Sequence, residues 1–229
     1  MRVLDLGSGA GDVSLVVADL VGPSGEVVGI ERAPDAIARA SKRARQRGLV
    51  NVRFVQGDIH DVLDGGPFDA VVGRLVLMYV DDPGAVLRTQ AATLRPGGVV
   101  APIEFDVCSA RTIPETPLAS QALAWVRKAF ERAGIQPALG PRLWQVALDA
   151  GLRPVGMTAI QPHFGPSDAD GHTLLAGIVR TLLPVIERTG VATAAEVDAD
   201  TLQSRLRDEL AGAQAIFAHP ALTCAWAVV

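Results

Sequence analysis

Val3-Leu4-Asp5-Leu6-Gly7-Ser8-Gly9-Ala10-Gly11-Asp12 decides the fold. A short apolar run ends at Gly7, and Asp12 to Leu20 then reads as a helix. A strand that runs through a glycine turn into a helix is the opening of a βαβ unit. The glycines allow the turn to be tight and let a ligand come close to the backbone. The helix N-terminus presents unpaired N–H groups that hold an anion, the carboxylate of an amino acid as readily as a pyrophosphate. Taken alone, the loop reads equally as a plain structural turn.

The same alternation continues outward. Val27–Ile30 reads as a second strand, and Pro34 stands near the start of a helix that runs to Gln46, with Gly48 as its stop. Residues 51–55 are a third strand and residues 68–73 a fourth. Pro83 opens a helix reaching Leu94, Pro96-Gly97-Gly98 is a turn, and residues 99–105 are a fifth strand. These strands are apolar runs, not alternating ones, as expected of a parallel sheet covered on both faces. The second half predicts helices over residues 118–133, 141–150, 172–189 and 194–210, with strands over 153–164 and 221–229. One domain over 1–229 is expected, with no repeat or linker, and a helical cap insertion over 165–220.

Composition narrows the function classes. At 229 residues the chain can bury one substantial core. Its formal net charge of -4 and 4% aromatic content give no reason to expect a nucleic acid. The basic face Arg39, Lys42, Arg43, Arg45 and Arg47 therefore reads as a solvated helix side. Cys108 and Cys224 are isolated and suggest neither a disulfide framework nor a metal site. The four histidines are scattered without metal-ligand spacing, so no metal is expected. No apolar run is long enough to span a membrane and no leader is visible, which makes the cytoplasm the expected location.

Acids at strand ends supply the candidate site. Glu31 stands just past the second strand, 20 residues after Gly11. A carboxylate there can accept both hydroxyls of an adenosine ribose, in NAD or in S-adenosylmethionine alike. Its plainer role is a first-turn acid, worth about 0.3–1 kcal/mol to the helix dipole. A dinucleotide fingerprint would put its last glycine at position 12, where this chain has Asp12, a poor neighbour for a pyrophosphate. Asp58, in Gln56-Gly57-Asp58-Ile59, can accept an adenine amino group while Ile59 packs on the ring; it can equally cap a turn. Arg74 follows the fourth strand, on the side where open α/β sheets bind ligands, and can reach a cofactor carboxylate or Asp5.

With these features assembled, the chain resembles the class I S-adenosylmethionine-dependent methyltransferases. The likeness is to the bacterial small-molecule branch that includes the ubiquinone and menaquinone C-methyltransferases. The matching stretches are Val3–Gly11, Val28–Glu31, Gly57-Asp58-Ile59, Phe68–Val72 and Leu94-Arg95-Pro96-Gly97-Gly98. The resemblance implies a Rossmann-like three-layer α/β sandwich with a seven-stranded, mostly parallel sheet of order 3-2-1-4-5-7-6. The last strand would run antiparallel, with a helical insertion between strands six and seven. It implies S-adenosyl-L-methionine as cofactor, held by Asp5, Gly7, Ser8, Gly9, Gly11, Glu31, Arg32, Asp58, Ile59, Arg74 and Leu75.

Two departures from the family follow. Members carry helices before the first strand that close over the substrate, whereas here Met1 is four residues from Asp5. Either the chain start lies downstream of the natural one or the lid is supplied otherwise. The stretch between the last two strands is also long. It carries Leu174-Leu175, Ile178-Val179, Leu182-Leu183 and Ile186 at helical spacing, an expected cap over an apolar acceptor pocket.

Methyl transfer from a sulfonium needs alignment and exclusion of water, and a base only if the acceptor arrives protonated. His163, Tyr79 and His172 are the candidate catalytic groups. His60 is placed near the adenine end, and Glu104 and Asp106 are acids that can face the acceptor or equally serve as supporting or capping acids. The expected acceptor is a small hydrophobic molecule, a quinone or related ring, and a homodimer is possible. The alternatives are an NAD-dependent oxidoreductase and a catalytically inactive cofactor-binding or partner protein.

Overall fold

Strand β1 (Arg2–Leu6) takes the centre of the sheet because its side chains are apolar on both faces; all but the first residue are buried. It pairs in parallel with β2 (Glu26–Glu31) on one side and β4 (Phe68–Arg74) on the other, Leu4 lying opposite Val28 and Val71. Between these strands run helices α1 (Asp12–Val21) and α2 (Pro34–Gln46), and β3 (Val52–Gln56) pairs outside β2. Helix α2 turns Ala36, Ala40 and Ala44 inward, which leaves the arginines and Lys42 in solvent. The computed structural model describes residues 1–229.

Helix α3 (Pro83–Ala91) stops short of Leu94, which already belongs to β5 (Leu94–Asp106). The expected turn at Pro96-Gly97-Gly98 is a bulge inside that strand. Phe68 pairs with Leu94 and Ala70 with Val99, so the extra residues of β5 loop out opposite Asp69. Gly97 takes φ +75° there, and Arg95 is fastened to Asp69 at 2.6 Å.

The remaining elements, in chain order, are β6 (Arg111–Ile113), α4 (Pro117–Arg132), α5 (Leu143–Asp149), β7 (Arg153–Ile160) and β8 (His163–Phe164). They continue with α6 (Ala169–Arg188), α7 (Ala194–Val197), α8 (Leu202–Ala213), β9 (Ile216–Ala218) and β10 (Ala221–Val228). The main sheet has the order β3-β2-β1-β4-β5-β10-β7. With β7 and β10 as the sixth and seventh long strands, this is the expected 3-2-1-4-5-7-6 sandwich with its helical insertion. The Val229 amide donates to the Gly98 carbonyl, so the end of β10 lies beside the start of β5 and the two run antiparallel.

The chain divides into two compact units. The first comprises 1–104, 140–158 and 223–229 and holds the long sheet. The second comprises 105–139 and 159–222, so it takes in α4 as well as the expected 165–220 insertion.

Within the second unit, α4, α6 and α8 pack on one another beside a small antiparallel sheet of order β6-β9-β8. Leu175, Val179 and Ile186 of α6 and Leu202, Leu206 and Leu210 of α8 are buried. Of the expected stripe, Leu175, Val179 and Ile186 fill this unit's own interior, Ile178, Leu182 and Leu183 are half-buried, and Leu174 is 41% exposed. The Glu209 carboxylate accepts the Leu118 and Ala119 amides at 2.8 and 3.0 Å, capping the start of α4.

The single strand expected over 153–164 is broken after Ile160. Pro162 cannot donate to a ladder; its carbonyl accepts the His219 amide, and the Gln161 side-chain carboxamide donates to the Ser109 and His219 carbonyls. No helix is long and apolar enough to cross a membrane.

Candidate functional site

The carboxyl ends of β1, β2 and β4 meet at the glycine loop. Gly7 has φ +59°, and a Cβ on it would stand 2.5 Å from Cγ2 of Val76. Only glycine lets the turn after β4 come this close. Gly11 caps α1 with φ +86°, and its missing Cβ faces Phe54 and Ala40; it serves packing. Gly9 points its N–H at Glu31, whose Oε2 accepts it at 3.0 Å while Oε1 accepts the Ala33 amide at 2.9 Å. Each oxygen keeps a lone pair for a further donor.

Glu31 is one wall of a cleft of about 440 Å³, within the size range of small-molecule sites. Gly7, Arg32, Ile59, His60, Leu75 and Tyr79 share it. A smaller recess of about 150 Å³ adjoins through Gly7 and is lined by Asp5, Ser8, Gly9, Asp12 and Arg74, among others. The structure therefore brings together most of the residues singled out in the sequence, in two neighbouring spaces.

Their individual states differ from expectation in places. Asp58 borders the cleft through its neighbours, but its own carboxylate is engaged. It accepts the His60 amide at 3.0 Å and meets the ring Nδ1 at 2.6 Å, with Arg32 at 3.7 Å. Those hydrogen bonds from His60 hold it below the ordinary carboxylate range. Arg74 turns to Asp12 at 3.5 Å, and Arg43 takes the other Asp12 oxygen at 2.6 Å. Asp12 is thus a neutralised acid, so its presence argues less strongly against an anionic ligand than its bare charge suggests. Asp5 is buried under Ser14, which donates to it at 2.5 Å. Burial pushes its carboxyl up to about 6 despite Ser14 and the nearby Arg74. The Ser8 hydroxyl is buried without a partner.

Leu75 and Tyr79, both singled out in the sequence, belong to one turn after β4. It comprises Leu75, at φ +56°, and a 3-10 turn, Leu77–Tyr79. A left-handed leucine costs about 1–2 kcal/mol and must be held. The Leu75 amide donates to the Ile103 carbonyl at 2.9 Å, and the Val76 and Leu77 amides donate to Oε1 of Glu104 at 3.0 and 2.7 Å. Of the two roles open to Glu104 in the sequence, the structure gives it the supporting one: it is fully buried and faces this turn. Asp106 accepts the Cys108 amide at 3.1 Å, a cap. Tyr79 is 57% exposed on the cleft; its phenol is pushed up by burial and by the Glu104 charge, so it stays a proton donor.

The other candidates lie in the second unit and are not walls of this cleft. His163 is exposed in β8 opposite Ala218. His172 is buried in the first turn of α6 with Nδ1 unpartnered. His219, which no motif marks out, sits edge-on to Phe105 and Phe217 at 5.6 and 6.2 Å. Burial lowers its pKa.

A family model described as a methyltransferase domain matches residues 1–134. The trans-aconitate 2-methyltransferase of Deinococcus radiodurans is 30% identical over 222 residues, which is 95% of this chain and 83% of that protein. The chain belongs to the methyltransferase domain family.

Its class is that of the S-adenosylmethionine-dependent methyltransferases of class I. The ubiquinone/menaquinone C-methyltransferase of Idiomarina loihiensis is 36% identical over 109 residues, 46% of this methyltransferase domain and 43% of that protein. Alignments to arsenite methyltransferases cover still less, 30% and 26% of those proteins, so the chain spans well under half of several curated relatives. A geranyl diphosphate C-methyltransferase from Streptomyces coelicolor shares the fold, with a TM-score of 0.55 at 17% identity over 99% of this chain and 72% of that one. No single branch stands out among these likenesses.

Proposed function

We propose that this methyltransferase domain moves the methyl group of S-adenosylmethionine to a small, hydrophobic organic acceptor. The observation that carries the reading is the Glu31 carboxylate. It stands on an open cleft at the end of β2, fixed by the Gly9 and Ala33 amides and still able to accept two hydroxyls. A ribose diol fits that donor demand. Ile59 offers an apolar surface for a base, and the recess beside Gly7, with Arg74 and the orphaned Ser8 hydroxyl, suits an amino-acid end.

Bound S-adenosylmethionine supplies a sulfonium-activated methyl group that leaves by direct displacement. The chain's part is to hold and shield. Glu31 and Arg32 orient one end, with Asp58 fixing His60 at the rim. Asp5, Gly7, Ser8, Gly9 and Arg74 take the other end, and Gly11 sets the start of α1. Leu75 and Tyr79 form the wall nearest the turn after β4. Tyr79, protonated at neutral pH, donates a hydrogen bond and does not act as a base.

For the acceptor, the likeness to quinone C-methyltransferases favours a ring compound. The near full-length likeness to a trans-aconitate methyltransferase favours a small polycarboxylate as the second reading. Methyl-labelled S-adenosylmethionine offered with a quinol, a tricarboxylate and arsenite separates them. Label in the quinol supports the first reading and label in the carboxylate the second. Cofactor binding without transfer to any acceptor would favour an inactive binding protein.

A further inference from the structure

Glu104 is a fully buried acid with one oxygen occupied and one idle. Oε1 accepts two consecutive backbone amides, Val76 at 3.0 Å and Leu77 at 2.7 Å, and Oε2 has no partner. The residues so held carry Leu75 in its left-handed conformation and Tyr79 on the cleft. Val76 also touches the glycine loop, where a Cβ on Gly7 would meet it at 2.5 Å. One carboxylate thus sets the position of a turn that forms a wall of the cleft and braces the loop beside it. A buried carboxylate without a cation is an expensive way to fix a turn, since a neutral acceptor would satisfy the same amides. What the charge adds is strength, because a hydrogen bond to an ionised acceptor is roughly twice as strong as one to a neutral acceptor.

We propose that Glu104 is a positioning residue whose ionised carboxylate holds the Leu75–Tyr79 turn in its cofactor-binding shape, making cofactor affinity rise with pH through neutrality. This rests on the reading of the cleft as the S-adenosylmethionine site.

The surroundings set the pH range. Burial raises the Glu104 carboxyl to about 7, and the Leu77, Val76 and Met78 amides pull it back only in part. No charged side chain compensates it. Arg74, the cation at the end of β4, turns to Asp12. Cys224 in β10 is a thiol kept protonated by burial, and Tyr79 in the turn is a phenol whose own pKa the Glu104 charge helps to raise. Below neutrality Glu104 takes a proton, its amide bonds weaken, and the turn loosens without exposing the carboxyl, a local change opposite in sign to the overall cost of burying the charge. Above neutrality the charged acceptor tightens it. Glu104 touches neither cofactor nor acceptor in this scheme and acts through the turn.

Two measurements on the whole chain test this. Calorimetric titration with S-adenosylmethionine between pH 6 and pH 8.5 should show affinity rising about tenfold in the native chain. In Glu104→Gln it should be weaker and vary less with pH than in the native chain, Asp5 in the recess still titrating at the low end, and Glu104→Asp, which keeps the charge, should recover it in part at high pH. A flat native profile, or a Glu104→Gln variant with native affinity and pH profile, overturns the proposal.

Amide hydrogen exchange in the unliganded native chain needs neither a variant nor a ligand. Protection of Val76 and Leu77, taken as a ratio to Leu4 in β1, should fall as pH drops below 7; a constant ratio overturns the proposal. If the chain binds no S-adenosylmethionine at any pH, the cofactor reading fails, and the exchange ratio still decides whether Glu104 controls the turn.

Discussion

Gly7 and Val76 are packed so closely that a Cβ on the glycine would stand 2.5 Å from Cγ2 of the valine. The contact joins the loop after β1 to the turn after β4, the two segments that meet at the cleft. Gly7→Ala should therefore lower both the melting temperature and cofactor affinity, the latter at least tenfold, through strain at φ +59° and the collision with Val76. Adding Val76→Ala removes the collision and leaves the strain, so the double variant should regain part of the loss. Calorimetry and thermal melting of the three variants check this; a double variant no better than Gly7→Ala would show that crowding is not the cause.

Tyr79 is the titratable side chain of the β4 turn that reaches the cleft, and it remains protonated at neutral pH. If the phenol donates a hydrogen bond to the acceptor, Tyr79→Phe should lower kcat/KM about tenfold and leave the cofactor Kd unchanged. Steady-state kinetics beside a binding titration separate the two effects. A fall in cofactor affinity instead would place the phenol at the cofactor.

Two buried acids make stability depend on pH in an uncommon direction. Burial raises Asp5 to about 6 and Glu104 to about 7, so each binds its proton more tightly folded than unfolded. Their contribution is fully present below the ordinary carboxylate range and is lost as pH climbs through 6 and then 7. Between pH 5.5 and pH 8 the loss should be about 2 kcal/mol from Glu104 and about 1 kcal/mol from Asp5. The carboxylates with lowered pKa, among them Asp58 and Glu196, change protonation at lower pH and do not enter this window, whereas His219, whose pKa burial lowers, offsets part of the loss as pH climbs past the ordinary histidine range. Urea unfolding at the two pH values measures the difference, and Glu104→Gln should remove the larger share. Equal stability at both values would contradict the burial of an uncompensated charge.

In the second unit, Glu209 reaches from α8 to the Leu118 and Ala119 amides at the start of α4. Glu209→Ala leaves those amides without their partner and should cost about 1–2 kcal/mol, read by urea unfolding at pH 7. Glu209→Gln, which keeps an acceptor oxygen, should cost less. Native stability in Glu209→Ala would mean that the cap contributes nothing.

The sequence was most legible where a feature is local. Val3–Gly11, the acid after β2 and the apolar strands state the glycine loop and a parallel sheet because each needs only neighbours along the chain, whereas the order of the strands came with the family resemblance. Glu31 was legible for the same reason, as an acid at a strand end. Glu104 was not. Its partners are 27 and 28 residues away, and an acid closing an apolar strand looks the same whether it faces a ligand or a buried turn. Leu75 gave no sign of its left-handed backbone, a conformation associated with glycine and asparagine. The grouping of α4 with α6 and α8 was hidden because segments 105–139 and 159–222 are separated in the chain. The bulge at Pro96-Gly97-Gly98 was read as a turn because the residues that make a turn also make a bulge.

The central claim is that Glu31 and the glycine loop form an S-adenosylmethionine site. Calorimetric titration of the chain with S-adenosylmethionine, with NAD as the comparison ligand and Glu31→Ala beside the native protein, tests it most directly. One saturable site for S-adenosylmethionine, no binding of NAD, and at least a tenfold loss of affinity in the variant are expected. Binding of NAD in place of S-adenosylmethionine, or native affinity in Glu31→Ala, would contradict it.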